Sequence, residues 1–439
     1  MRAFRKKAVS VLLTALLLCG AFSACVGYSG NMEGRVSGAP AAPIYKLYNK
    51  IPLSSISSIE SVTGSIATGE AVFHAFATGG ERLETLSADA LLSYESRYAN
   101  VISTYYRSRI SGDMLLPYMA MLYASENGFE RAYFSSRQLT VDDIYKSYSY
   151  LTCDDPFFES NYNLDVEYLT PPEGDLETPV FYCLYTTVLE SGHSERKLEA
   201  YEKAKEMVSS LPASLQDEAG KAEYLYRKLT ETTRYIGYDE NEQPDYLYDA
   251  LVLGRSNCDG FANALAMLFN LIGIESVLSV GTDEGEGHAW VTAKLDGSFY
   301  HFDPTYDSDA ARDVSYGGKL YYFRMSDAAA FALSRSYDAD IEDAAPKCPD
   351  TSFDLAPVDI TVTDFSLKSM QLTVADALEA DINGDDGCLV VACPQFFGAS
   401  WDALDAYFGA MADEVDIAGT VDAYLLSDRG LMVLYGSAE

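Results

Sequence analysis

Between Asn257 and Tyr306 a cysteine, a histidine and an aspartate stand at three joints of one helix–strand–strand succession, and few architectures satisfy that order. The first joint is Asn257-Cys258-Asp259-Gly260-Phe261. Phe261, Leu265, Leu268 and Ile272 recur at helical spacing and Gly273 stops the run, so the pattern predicts a helix over 261–272 that Cys258 opens. Unpaired N–H groups and the helix dipole at such an end stabilise an anion. They favour a thiolate there and suit a developing oxyanion. Taken alone, a buried structural cysteine fits the position about as well.

The second joint is Gly287-His288-Ala289-Trp290-Val291. It follows a predicted strand over 276–280 and a Gly-rich acidic loop over 281–287, so His288 opens a second strand. Its ring is then placed to take a thiol proton and return it to a leaving amine. The third joint, Tyr300-His301-Phe302-Asp303-Pro304-Thr305-Tyr306, comes after a turn at Asp296-Gly297. That turn predicts an antiparallel hairpin with Asp303 alongside His288, where a carboxylate orients the imidazole and stabilises its protonated form. His301 shares that strand face and is a rival base, without a comparable setting around it.

In this order the three joints resemble the transglutaminase-like superfamily. The residues that carry the resemblance are Leu253-Gly254-Arg255-Ser256-Asn257-Cys258-Asp259-Gly260-Phe261-Ala262, His288-Ala289-Trp290 and Asp303-Pro304-Thr305-Tyr306, with Tyr246 to Leu251 as the lead-in. The specific match covers about residues 215–310. The aromatic-rich stretch from Ile144 to Phe158 is similar to segments ahead of the core in bacterial exported members. The resemblance implies an α+β, papain-like core: a helix bearing the cysteine packed on an antiparallel sheet bearing the histidine and aspartate. It implies acyl transfer by Cys258, His288 and Asp303 on amides of peptides, proteins or peptidoglycan-type peptides. Water as acceptor makes the enzyme a protease or amidase, and a lysine-type amine makes it a cross-linker. Trp290 either shields the thioester or fills the core, and the Tyr248 hydroxyl is a candidate for the oxyanion site. A binding or assembly scaffold that keeps the fold without the chemistry is the second reading. Neither reading uses a cofactor or a metal.

The amino terminus reads as an export signal. Arg2, Arg5, Lys6 and Lys7 precede a short apolar stretch, Val9 to Leu18, too short to span a bilayer. Phe22-Ser23-Ala24-Cys25 resembles a bacterial lipobox, with Phe where Leu is usual, and implies lipid attachment at Cys25 and a cell-surface lipoprotein; ordinary cleavage nearby, with Cys25 incidental, is the alternative. A Gly-, Ser-, Ala- and Pro-rich tether follows to Pro43. Loss of residues 1–24 takes the formal charge from −35 to −39, which repels nucleic acid and favours solubility and cationic partners.

Eight cysteines show no CxxC pairing and histidine is scarce, so the sequence offers no structural zinc pattern. The acidic loop from Asp381 to Asp385 begins like a calcium loop but has Asp386 at the glycine position and Ala392 where the bidentate glutamate belongs, and so reads as a turn.

The organisation expected is a signal over 1–24, a tether over 25–44, an N-terminal helical or α+β region over 45–205, the catalytic domain over 206–345 and a small α+β unit over 355–439. Residues 45 to about 135 read as mostly helical, including Leu86 to Ile110. A helix capped by Thr140 and Asp143 runs toward Cys153, strands follow over 162–169 and 180–189, and His193 sits in a turn. Residues 346–357 read as a linker. In the last unit Leu389 to Ala392 reads as a buried strand, Trp401 to Val415 as a helix, and Asp428-Arg429-Gly430 as a hairpin turn.

Overall fold

The computed structural model describes residues 72–438 apart from 78–82, 128, 137–138, 159–163, 170–179, 187–192, 238–245, 311–317, 333, 383–387, 401, 403 and 405–418. The expected export signal, tether and Cys25 lie outside the described residues, as do nearly all of the helix expected over Trp401–Val415 and the acidic loop beyond Ile382.

The first unit is built on an antiparallel sheet of order β2-β1-β3-β5-β4: β1 Val72–Ala77, β2 Leu83–Ser87, β3 Phe129–Ser136, β4 Leu164–Leu169 and β5 Val180–Thr186. Over its described part, residues 72–135, this corrects the mostly helical expectation for 45–135, whose residues 45–71 lie outside the described residues. Within 86–110 the α-helix is confined to Ala88–Leu92, with a 3-10 turn at Arg107–Arg109, and α1 follows at Leu115–Asn127. The apolar spacing of Leu86 to Ile110 is real, but side-chain acceptors, near and distant in sequence, take the N–H groups a helix needs. Ser96 and Ser103 hydroxyls accept from Tyr98 N and Tyr105 N at 3.0 and 3.1 Å. The Asp154 carboxylate accepts from Tyr106 N and Arg107 N at 3.0 and 2.8 Å.

Helix α2, Val141–Asp154, starts where its cap predicts: Thr140 Oγ1 accepts from Asp143 N at 3.2 Å and Asp143 Oδ2 accepts from Thr140 N at 2.8 Å. His193 does not sit in a turn but opens α3, His193–Ser209, which is followed by α4, Glu218–Thr232.

The central unit holds α5, Cys258–Leu271, against the sheet β8-β7-β6-β9: β6 Ser276–Asp283, β7 Glu286–Leu295, β8 Ser298–Phe302 and β9 Ser336–Tyr337. All its pairings are antiparallel. Asp296 and Gly297 join β7 to β8 with φ of 52° and 89°, the left-handed pair that a two-residue hairpin demands. Ala289, Val291 and Ala293 of β7 enter one core with Phe261, Leu265 and Phe269 of α5, and Phe302 meets Phe269 edge-on at 5.4 Å. That core is continuous with Leu122, Phe134 and Leu151 of the first unit.

The last sheet, β10-β11-β13-β12, comprises Ile360–Thr361, Cys388–Ala392, Leu431–Ala438 and Gly419–Leu426 respectively. Alternation divides its core. Leu389, Val391, Met432 and Leu434 face helix α7, Lys368–Ile382, while Cys388, Val390, Leu431 and Val433 cover Tyr321, Tyr322 and Met325 of the central unit. Residues 346–357 carry no strand or long helix, yet they are fastened: Asp354 accepts from Ser326 N and Oγ at 2.8 and 2.6 Å, and Phe353 meets Tyr300 at 5.6 Å.

Candidate active site

Cys258 is the first residue of α5, one turn earlier than the apolar pattern alone marked. Asn257 is extended and caps the helix, its Oδ1 accepting from Gly260 N at 3.4 Å. A Cβ on Gly260 would lie 2.0 Å from Ser256 Oγ and 2.4 Å from Tyr246 O. Glycine here lets the Tyr246–Tyr248 turn close on the first turn of α5, which sets the position of the sulfur. Tyr248 lies half-buried in that turn, which packs against α5. Cys258 is 1 % exposed, and none of Cys153, Cys258, Cys348, Cys388 and Cys393 is in a disulfide.

His288 lies third in β7, opposite Gly281 of β6. Asp303 is the first residue after β8 and precedes α6, Pro304–Ala310, whose Thr305 N–H donates to Asp303 Oδ1 at 3.2 Å. Its other oxygen, Oδ2, meets His288 Nε2 at 2.7 Å. The hairpin thus brings Asp303 and His288 together as its turn predicted. Burial pushes the Asp303 pKa up, but the charges of His288 and Arg335 beside it outweigh burial and hold the carboxyl below the ordinary range. Nε2 is thus the imidazole nitrogen that the carboxylate engages. The ring is fixed between Trp290, stacked at 5.9 Å, and Tyr306, tilted at 5.3 Å.

Trp290 is fully buried and its Nε1–H donates to His301 Nδ1 at 3.0 Å, so the indole supports the imidazole of His288 and its N–H is committed elsewhere. That bond also settles the tautomer of His301. An indole N–H only donates, so Nδ1 accepts and Nε2 carries the proton toward Asp327 Oδ1 at 2.9 Å. Burial lowers the His301 pKa. The rival base is therefore a neutral, fully buried ring that fixes Trp290. His301, Asp327 and Cys348 present ligating atoms within 4.8 Å of one another. A metal on Nε2 would move the proton to Nδ1, against the Trp290 N–H, and burial raises the Cys348 thiol pKa far above its usual value. The donor set suits protons rather than a metal.

The residue that the sequence did not disclose is Arg335. Its Nη2 lies 2.8 Å from Asp303 Oδ2 and 3.0 Å from Asp283 Oδ2. Nothing in Ser334-Arg335-Ser336-Tyr337 marks it, because its partners are brought to it only by the pairing of β9 with β6.

Residues 205–304 match the family model described as the transglutaminase-like superfamily. No curated protein matches. Among solved structures, one described as a TGase is 17 % identical, with 32 % of this chain and 44 % of that chain covered and a TM-score of 0.23. The periplasmic domain of TgpA from Pseudomonas aeruginosa is 13 % identical, with 42 % and 71 % covered and a TM-score of 0.20. The match thus spans less than half the length of the first of these. With the Cys-bearing helix packed on the antiparallel sheet that bears His288, the central unit is an α+β core of papain-like type, and residues 205–304 within it are similar to the transglutaminase-like superfamily.

Proposed function

We propose that this chain is an exported cysteine acyl-transfer enzyme that acts on amide bonds of peptides, proteins or peptidoglycan-type peptides. The observation that carries the reading is the 2.7 Å bond from His288 Nε2 to a fully buried Asp303, within the stretch that matches the family model and on the sheet against which the Cys258 helix packs. Nδ1 of His288 takes the thiol proton, and the thiolate attacks the amide carbonyl carbon. Negative charge on the carbonyl oxygen develops at the N-terminal end of α5, where backbone N–H groups and the helix dipole oppose it. The tetrahedral adduct collapses as the imidazolium protonates the leaving nitrogen, which departs as ammonia or an amine. Water or an amine then attacks the thioester, giving His288 its proton and restoring the thiol.

One observation favours the scaffold reading: Cys258 is 1 % and His288 6 % exposed, so a substrate carbonyl reaches the sulfur only if the site opens. Iodoacetamide labelling of Cys258 across pH, in wild type and His288→Ala, separates the two. Labelling that begins well below the free-thiol pKa of about 8.5 and is lost with His288 supports the enzyme. An ordinary thiol profile in both proteins supports the scaffold. On an amide substrate, Cys258→Ala with undiminished activity would sink the acyl-transfer reading.

Export and lipid attachment at Cys25 belong to the same proposal and rest on the amino-terminal sequence. Among the described residues no helix is long and apolar enough to cross a membrane. Cys25→Ser is expected to move the protein from the membrane fraction to the soluble one, and unchanged partition would remove the anchor. The acidic surface, −35 over the whole chain, favours amine-bearing acceptors and cationic peptides.

A further inference from the structure

We propose that Arg335 is a positioning residue of the triad: its guanidinium, itself held by Asp283, fixes the carboxylate oxygen of Asp303 that orients His288. The proposal rests on the acyl-transfer reading above and extends it to a residue outside the stretch that matches the family model.

One atom receives both bonds. Asp303 Oδ2 lies 2.7 Å from His288 Nε2 and 2.8 Å from Arg335 Nη2. Arg335 is oriented from its other side by Asp283, whose Oδ2 accepts from Nε at 3.1 Å and from Nη2 at 3.0 Å. Asp283 is fixed in turn by the Tyr306 hydroxyl at 3.0 Å and the Ser334 hydroxyl at 2.9 Å. The guanidinium carbon lies 5.1 Å from the centroid of Trp290 and 5.4 Å from that of Tyr306, the two rings that flank His288. With 3 % of its side chain exposed, its charge acts on Asp303 with little screening by salt or water.

The fold delivers Arg335 by one close approach. Ser336 and Tyr337 pair with Thr282 and Gly281, and Gly281 is the residue directly across from His288. A Cβ on Gly281 would lie 1.9 Å from Ser336 O, so the absence of a side chain there is what lets β9, and Arg335 before it, reach the histidine row.

A carboxylate buried beside an imidazole competes with it for the proton. Burial alone raises the Asp303 pKa, and the charges of His288 and Arg335 reverse this. The guanidinium therefore keeps Asp303 ionised while His288 collects the thiol proton. Without it, Asp283 and Asp303 face each other with no cation between them, and Asp428 and the Tyr306 hydroxyl add no positive charge. Asp303 then takes a proton, the imidazolium loses its counter-ion, and the thiolate forms at higher pH. Arg429, on the turn that carries Asp428, bonds to Tyr321 O and Asp354 O and does not replace Arg335.

The test is the pH profile of iodoacetamide labelling of Cys258 by mass spectrometry, on the full chain, in wild type, Arg335→Gln and Arg335→Lys, with melting curves for each. In Arg335→Gln the labelling midpoint is expected to rise by about one pH unit or more, and the rate near pH 6 to fall about tenfold. Arg335→Lys keeps the charge but reaches one carboxylate rather than two, and its midpoint is expected between the others. A folded Arg335→Gln protein with the wild-type midpoint overturns the proposal, even if it melts lower, because a merely structural arginine moves stability and not the midpoint. If Arg335→Gln does not fold, Arg335→Lys decides, and a wild-type midpoint there overturns the proposal equally. Failure of the underlying reading looks different: wild type itself then labels as an ordinary thiol, with a midpoint near about 8.5.

Discussion

At the scale of single residues, the site depends on which atoms can only donate and which can only accept. Asp303 Oδ2 accepts from both His288 and Arg335, and Oδ1 accepts from the Thr305 backbone. Asn in place of Asp303 must turn an NH₂ toward one of these donors. Toward His288 it imposes the wrong tautomer, and toward Arg335 it sets donor against donor. Asp303→Asn is therefore expected to lower kcat by roughly 10³–10⁴-fold with KM little changed, measured on any amide substrate of the wild type. A loss below about tenfold would show that the carboxylate does not orient the base. The same logic applies to Trp290, whose N–H holds His301 Nδ1. Trp290→Phe leaves that buried acceptor without its indole donor and removes a ring face from His288. A stability loss of about 1–3 kcal/mol is expected from thermal melts, together with slower Cys258 labelling.

At the scale of elements, the helix start and the hairpin explain most of what the sequence made legible. Cys258, His288 and Asp303 lie where an apolar period begins or a two-residue turn closes, and both are local signals. The apolar spacing itself begins a turn inside the helix, because Asn257 and Gly260 set the start at Cys258 through a cap and a close contact. Gly260→Ala places a methyl within 2.4 Å of the Tyr246 carbonyl and must push α5 from the turn before it. We expect a loss of about 1–3 kcal/mol in stability and roughly a hundredfold in rate, since small displacements of a nucleophile are costly. Wild-type kinetics in Gly260→Ala would show that the sulfur's position does not depend on this contact. What was not legible is non-local. The sheet of the first unit joins strands on either side of α1, and no window of sequence reports such pairing. The helical reading of Leu86 to Ile110 failed for a related reason: Asp154, which takes the N–H groups of Tyr106 and Arg107, arrives from the far end of α2. Arg335 is hidden in the same way, since its meaning comes from β9 pairing with β6.

At the scale of the whole molecule, elements distant in sequence are fastened together by buried carboxylates, and these give stability an unusual dependence on pH. Asp154 ties the end of α2 to Tyr106, Arg107 and the Tyr118 hydroxyl. Asp307 ties α6 to the Tyr226 hydroxyl of α4 and to Tyr321 N and Tyr322 N, the residues that the last sheet covers. Burial pushes Asp154 up to about 7, against the pull of its donors, and Asp307 up to about 6. Asp155 rises to about 6 by burial, with the Lys197 charge opposing. Each binds its proton more tightly in the folded chain than in the unfolded one, where the value is 3.8. Their contribution to stability is then fully present below about 4 and is lost as pH rises through about 6 to 7. Asp303 and Asp327, whose folded values are lowered, act in the other direction, and their contribution is lost only as pH falls below about 4. The two windows meet at about 4, so the melting temperature is expected to be highest near pH 4 and to fall toward pH 8, with self-repulsion of a chain of charge −35 adding to the fall. Thermal melts from about pH 3 to 8.5 at fixed ionic strength measure this. Asp154→Asn carries no titrating proton and keeps one accepting oxygen, so it should be less stable at pH 5 by about 1–3 kcal/mol and show a shallower decline. A melting temperature that climbs steadily from pH 5 to 8 in the wild type would mean that these carboxylates are ionised without cost in the folded protein, and that the junctions they make are wetter than their burial indicates.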